Sequence, residues 1–250
     1  MLLKNILSNS LRLENVKVIL SKIIRRFENN TSDEALVWAK HNSVTIESYC
    51  SQVNNKLWLE TIEVVSQLEI SAKKILNSIN VFLGGGGAYP LLYFLIRNNK
   101  PEVVVETGVA AGWSSLTILE ALARNNQGVL YSSDFPYFRL ENPEKYIGIL
   151  VPEGLRKHWF LDIRGDAVAL ETIVEKVGRI DLFHYDSDKS YSGRKLALKI
   201  IRNKLGDDSI FVMDDIQDNI FFKTLVETSG CKYFVFEFNG KYVGLIHQGL

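Results

Sequence analysis

The chain changes its hydrophobic rhythm once. Up to about residue 80, apolar side chains recur at the 3.6-residue period of helices that face a core. Leu11, Val16, Val18, Ile19, Ile23 and Ile24 do so ahead of Arg25 and Arg26. Leu57, Leu59, Ile62, Val65, Leu68, Ile70, Ile75 and Ile79 do so within 55–80, which predicts one amphipathic helix or two. Between these runs, Thr31 and Glu34 stand at capping-box spacing before Ala35-Leu36-Val37-Trp38, a helix-start signature. From Val81 the pattern is different. Gly84–Gly87 predicts a loop, either a hinge beside a site or a plain linker, and 88–97 a short helix ended by Asn98-Asn99-Lys100-Pro101. Short apolar runs at 102–107, 128–133, 159–163, 180–185 and 209–214 then alternate with amphipathic segments at 114–125, 167–177, 191–204 and 218–228. Such alternation predicts a parallel sheet covered by helices on both faces, a doubly wound Rossmann-like α/β fold. Segment 136–155 breaks the alternation and predicts a loop plus a helix reaching over a site. Two last strand-like runs, 232–238 and 241–247, flank Asn239-Gly240, which predicts a terminal antiparallel hairpin. The expected organisation is a helical region over 1–80, acting as a cap or dimerisation element, and a ligand-binding α/β domain over 81–250.

Bulk properties narrow the function. Lys plus Arg equals Asp plus Glu at 29 each, so the chain has no electrostatic footprint for nucleic acid. No apolar run reaches the ~18–20 residues of a membrane span. Lys4, Asn5, Asn9, Arg12, Glu14 and Asn15 interrupt what a signal peptide would keep apolar. Cys50 and Cys231 are the only cysteines, which leaves neither a disulfide framework nor a zinc cluster. A soluble, cytoplasmic protein without a membrane or nucleic-acid partner is expected.

Ligands of open α/β sheets bind outside the carboxyl ends of the strands. There the chain carries Glu106-Thr107-Gly108-Val109-Ala110-Ala111-Gly112-Trp113-Ser114-Ser115. Gly108 lets backbone approach a ligand and Gly112 opens the next helix. A nicotinamide site would show G-x-G-x-x-G without an acid at the strand end, and a P-loop would need Gly-Lys-Ser/Thr. A carboxylate sits poorly beside a pyrophosphate and well beside a cation.

This loop resembles the cofactor loop of class I S-adenosylmethionine-dependent methyltransferases. The resemblance continues through PEVVVETG, LYSSDFP, LVPEGLRKHW, IRGDA, IDLFHYDSDKSY and FVMDDI, from about residue 80 onward. It implies five parallel strands followed by a hairpin that inserts an antiparallel strand. It also implies S-adenosyl-L-methionine as cofactor. Glu106 would meet the cationic methyl donor, with Gly108, Gly112, Ser114 and Ser115 around it. Asp134, followed by Phe135, would bind the ribose hydroxyls. Asp166 would accept from the adenine amino group, with the Ala167 amide nearby. The weaker reading of Asp134 is a residue that opens a turn, and Asp166 could cap a helix as well.

The fourth strand of the domain ends at Asp186 and the fifth at Asp214-Asp215. Three carboxylates at adjacent strand ends would repel and raise one another's pKa. A hard divalent cation such as Mg²⁺ would resolve this, which makes Asp186, Asp214 and Asp215 candidate metal ligands. Metal-dependent O-methyltransferases of the catechol and macrolide-sugar types are similar here. The catechol type has D-x-x-K, as Asp186 and Lys189 do, and the resemblance makes Lys189 a general base. An ordinary lysine, with a pKa of about 10.4, needs a nearby metal and burial to serve so. Asp188 suits a turn or cap, His184 suits packing within its strand, and Trp113, Phe135 and Tyr191 suit either core or pocket. The function implied is O-methyl transfer to a hydroxyl of a small molecule such as a sugar or secondary metabolite, by a possible homodimer. The alternatives are a non-catalytic cofactor-binding relative and an NAD-dependent oxidoreductase.

Overall fold

In a computed structural model, Glu28 and residues 30–79 and 81–247 are described. The periodic run Leu11–Ile24 lies outside them. The strands follow the expected boundaries closely: β2 (Val103–Thr107), β3 (Val129–Ser133), β4 (Trp159–Asp162), β5 (Ile180–Tyr185) and β6 (Leu205–Met213). The hairpin forms as β7 (Tyr233–Phe238) and β8 (Lys241–His247), turning through Asn239 and Gly240 at positive φ. A two-residue strand, β1 (Ser43–Val44), joins the edge. The order across the eight strands is β1-β7-β8-β6-β5-β2-β3-β4. β2 to β6 run parallel, β8 is antiparallel to both β6 and β7, and β1 pairs parallel with β7.

Seven helices flank this sheet among the described residues: α1 (Ser32–Asn42), α2 (Ile46–Ser78), α3 (Tyr89–Asn99), α4 (Trp113–Asn125), α5 (Asp166–Lys176), α6 (Tyr191–Ile201) and α7 (Phe221–Ser229). Alternate strand residues feed two cores, because successive side chains leave a strand on opposite faces. Val104, Leu130, Leu182 and Val212 pack under α2, α3 and α4. Val105, Phe183, Phe211 and Met213 pack under α5, α6 and α7. The helix expected from residue 55 has its cap in place: the Asn54 side chain accepts from the Leu57 amide at 3.1 Å. Asn54 leaves helical geometry (φ −161°, ψ 89°), and a preceding helical stretch from Ile46 continues across this break.

Two local expectations fail. The Thr31 hydroxyl makes no cap bond to its own helix and instead accepts from the Ile220 amide at 3.2 Å, while Glu34 pairs with Lys223. Long-range contacts to the α7 region thus replace the capping box. Segment 136–155 holds no α-helix. It has two 3₁₀ turns, Pro143–Tyr146 and Glu153–His158, and docks by backbone bonds from Gly148 to the Ala110 carbonyl (2.9 Å) and from Leu150 to the Ala111 carbonyl (3.0 Å). Pro143, Gly148, Pro152 and Gly154 break any helical run there.

β8 crosses the inner face of Phe222 at Gly244, where a β-carbon would collide with the ring. Gly244→Val is expected to cost about 1–3 kcal/mol by overpacking. An unchanged urea midpoint would show instead that Phe222 moves aside freely.

Candidate active site

A cavity of about 670 Å³ opens at the carboxyl ends of β2, β3, β5 and β6. Its floor is the turn after β2. Gly108 sits at φ +83° with the Asp186 backbone where a β-carbon would point, so any side chain would break the contact between β2 and β5 loops. Its amide donates to the Ser133 carbonyl at 2.8 Å. Ser114 and Trp113, at the start of α4, also line the cavity. Gly112 is turned away from it, under Gly148, with the Gly148 Cα at 2.9 Å from where a β-carbon would stand.

One end of the cavity is built from two carboxylates held by neutral donors. Asp134 accepts from the Ala110 amide at 2.7 Å and from the Phe135 amide at 2.6 Å. Burial pushes its carboxyl up to about 6, against those two amides and with help from the charges of Asp166 and Glu106. Asp166, the first residue of α5, accepts from the Ser133 hydroxyl at 2.6 Å and from the Ser187 hydroxyl. Phe135, Asp166 and Ala167 line the same end. Ser133 and Ser187 were not anticipated, and a lone serine at a strand end gives no sequence signal.

Glu106 does not face the cavity. It is fully buried on the α4 side of the sheet, where register places it between Ser132 on β3 and His184 on β5. One carboxylate oxygen accepts from Ser115 (2.6 Å) and Ser132 (2.9 Å). The other faces His184 Nδ1 at 3.6 Å. Ser115 is likewise buried beside Glu106 and absent from the cavity wall. Glu106 and Ser115, expected to touch a ligand, do not line the cavity: the alternation of β2 turns Glu106 inward, and Ser115 on α4 donates to it there.

His184 is packed, as its place in β5 suggests, and it stands between two acids. Burial pulls its pKa down, but Asp214 and Glu106 outweigh burial and raise it to about 10. Its Nε2 meets Asp214 Oδ2 at 3.1 Å. A buried imidazolium thus links the acid ending β2 to the acid following β6.

The opposite end of the cavity gathers Asp186, Asp214 and Asp215 with Lys189 and Lys241. Lys189 Nζ lies 3.4 Å from Asp186 Oδ1 and closer still to Asp215 Oδ2. Lys241 Nζ lies 3.0 Å from Asp215 Oδ1. Asp186 is raised to about 6 by burial and then by Asp214, while Lys189, His184 and Lys241 pull it down. Beneath the turn, the buried Arg194 guanidinium donates to the Asp215 carbonyl at 2.7 Å. Asp215 adopts φ +51°, and this bond helps hold it there. Gly87 presses on the Asp214 carboxylate so closely that no β-carbon fits, which makes this glycine part of the site wall and not a plain linker. Asp188 accepts from Ser190 Oγ at 2.7 Å, as a turn residue should. Tyr191 packs edge-on against Phe221 and lies off the cavity wall.

The expected metal centre does not fit this arrangement. Among the described residues no three His, Cys, Asp or Glu side chains converge on a common point. Both oxygens of Asp215 are held by ammonium groups, and Asp214 is turned to His184. The mutual repulsion that called for Mg²⁺ is relieved by cations of the chain itself. Lys241 and Arg194 were missed from sequence. Lys241 had a signal: an antiparallel hairpin beside β6 must start at the end where Asp214 and Asp215 lie. Arg194 had none.

Comparison with known proteins agrees with this geometry. Residues 105–216 match the profile of a methyltransferase domain family. No curated protein sequence matches the chain closely enough to count as a relative. Many solved structures share the fold. A methyltransferase from Geobacter sulfurreducens aligns with TM-score 0.55 at 16% identity, over 74% of this chain and 89% of its own. The O-methyltransferase TomG from Streptomyces achromogenes, involved in tomaymycin synthesis and solved with S-adenosylmethionine, aligns with TM-score 0.54 at 15% identity, over 75% of this chain and 90% of its own. A methyltransferase from Podospora anserina bound to S-adenosylhomocysteine aligns with TM-score 0.53 at 15% identity, over 87% and 95% respectively. Residues 105–216 thus resemble a methyltransferase domain, and the chain shares the fold of these solved methyltransferases. No helix among the described residues is long and apolar enough to cross a membrane.

His184→Leu would strand Glu106 and Asp214 as uncompensated buried charges. A loss of about 3–5 kcal/mol is expected, and a loss under about 1 kcal/mol in urea unfolding would remove the imidazolium bridge from the account. Because the folded pKa of about 10 exceeds that of a free histidine, the stabilisation is complete below about pH 6.5 and is withdrawn as pH rises through the folded value.

Proposed function

We propose that the protein transfers a methyl group from S-adenosyl-L-methionine to a hydroxyl of a small molecule. The observation that carries this is the pairing of two differently built ends in one cavity. Asp134 accepts from two backbone amides and Asp166 from two serine hydroxyls, and both line an end of the cavity that suits the hydroxyl and amino donors of an adenosine. Gly108 and Ser114 line the stretch between, and the far end presents Lys189 and Asp186 where an acceptor would stand. The O-methyltransferase among the solved relatives supports oxygen as the acceptor atom.

The chemistry is in-line attack of the acceptor oxygen on the sulfonium methyl, for which the donor supplies the reactivity and the protein the alignment. Lys189, ion-paired with Asp186 and Asp215, is placed to donate to the acceptor oxygen as it loses its proton. Asp186 takes that proton; its raised pKa makes it a stronger base than an exposed aspartate. The ion pairs thus move the role of base from Lys189, where resemblance to catechol-type enzymes puts it, to Asp186.

Calorimetric titration with S-adenosylhomocysteine tests the cofactor, with NADH as the rival ligand. Binding of the former alone is expected; binding of NADH alone, or of neither, would sink the proposal. Affinity is expected to weaken as pH falls through about 6, where Asp134 takes up a proton. An Asp134→Asn variant should bind weakly with a flat profile. Lys189→Met should lower turnover of a hydroxylated acceptor on the order of 10²-fold with the homocysteine-nucleoside affinity nearly unchanged. A loss under tenfold would mean that Lys189 is only a surface partner of Asp215.

A further inference from the structure

We propose that Lys189, Lys241 and His184 take the place of a divalent cation at the acceptor end of the cavity, so that methyl transfer by this protein needs no metal. This rests on the reading of the cavity given above as a methyl-transfer site.

Charge balance is the first support. Three carboxylates line this end of the cavity without converging on one point, and three basic side chains of the same chain lie against them. Asp215 is gripped from both sides, by Lys241 on one oxygen and Lys189 on the other. Asp214 receives His184. Asp186 faces Lys189 at 3.4 Å. A divalent ion could reach Asp215 only by displacing both ammonium groups, which would then stand beside it and repel it. The chain's own cations offset most of the charge at this end, with His184 shared between Asp214 and Glu106, and the end suits an uncharged hydroxylated acceptor.

The second support is rigidity. Lys241 begins β8, whose register is set by pairing with both β6 and β7. Lys189 is fixed from the other side, where its carbonyl accepts from Asn219 Nδ2 at 2.7 Å. The turn carrying Asp215 is held by Arg194, which also reaches Asn219 Oδ1 at 3.4 Å. Asp214 is closed off by the Gly87 backbone and is only 4% exposed, so its carboxylate has no room to swing toward an ion in the cavity. Oxygen ligands of Mg²⁺ must adopt near-octahedral positions at ~2.0–2.1 Å, with several waters retained. Asp215, with both oxygens held by lysines, does not offer them; the buried Asp214 Oδ1 has no hydrogen-bond partner, but the other oxygen of that carboxylate is held by His184 and packed against Gly87.

The test uses Mn²⁺ added to the full chain saturated with S-adenosylhomocysteine, with free Mn²⁺ read by electron paramagnetic resonance. The wild type is expected to take up none into the millimolar range. The double substitution Lys189→Met with Lys241→Met, which frees both oxygens of Asp215, is expected to take up one ion per chain. Micromolar binding to the wild type that is lost in Asp215→Asn would overturn the proposal. So would a folded double variant that stays as silent as the wild type, since the lysines would not then be what excludes the ion. Lys241 is largely exposed, so Lys241→Gln keeps the comparison open if the double variant does not fold; it should show weak uptake. Binding of S-adenosylhomocysteine in the same samples separates the two readings. If it binds and the wild type also binds Mn²⁺, only the metal-free claim falls. If it does not bind, the methyl-transfer reading falls first.

Discussion

A buried imidazole set between two acids lies at the centre of this sheet. His184 is fully buried on β5, with Glu106 on one side and Asp214 on the other. Remove its charge and two carboxylates face each other in a water-free layer, a situation that buried ions do not tolerate without a partner. The glycine turn follows Glu106 directly, and the turn bearing Asp215 follows Asp214. The bridge therefore couples the floor of the cavity to its acceptor end through one strand. Ser115 and Ser132 complete the arrangement by donating to the Glu106 oxygen that His184 leaves free.

The cavity divides its charge in a chemically meaningful way. At one end Asp134 and Asp166 are held by amides and hydroxyls, which fix their position without cancelling their charge. Burial raises Asp134, and the charges of Asp166 and Glu106 add to it against the two amides. At the other end Asp214, Asp215 and Asp186 are each faced by a cation. On the proposed reading, the same residue type serves recognition at one end and internal structure and proton transfer at the other. The difference lies in the partners and not in the aspartates.

Much of the architecture was legible. Strand limits were read within a few residues, because five apolar runs separated by amphipathic helices admit few topologies. Asn239-Gly240 gave the hairpin. Most of the candidate residues do line one cavity: Gly108, Ser114, Asp134, Phe135, Asp166, Ala167, Asp186, Lys189, Asp214 and Asp215. The errors share a cause. Glu106, Ser115, Thr31 and segment 136–155 were judged from their nearest neighbours along the chain, and each is decided by a partner far away. Thr31 answers to Ile220, Glu106 to Ser132 and His184, and the 136–155 segment to Ala110 and Ala111.

What the amino-acid order determined by itself is the set of periodicities and breaks: which segments are strands, where helices begin, and that acids stand at successive strand ends. Those features depend on local backbone preference and on the alternation of apolar residues, and both are written in short windows. Only the tertiary structure decided what the acids do. The direction of Glu106 depends on which face of β2 it occupies relative to α4. The state of Asp215 depends on a lysine brought by a hairpin 26 residues further on. Charges in a low-dielectric interior act over several ångströms, whatever their separation in sequence. A row of carboxylates therefore suggests a metal until folding shows which cations of the same chain reach it first.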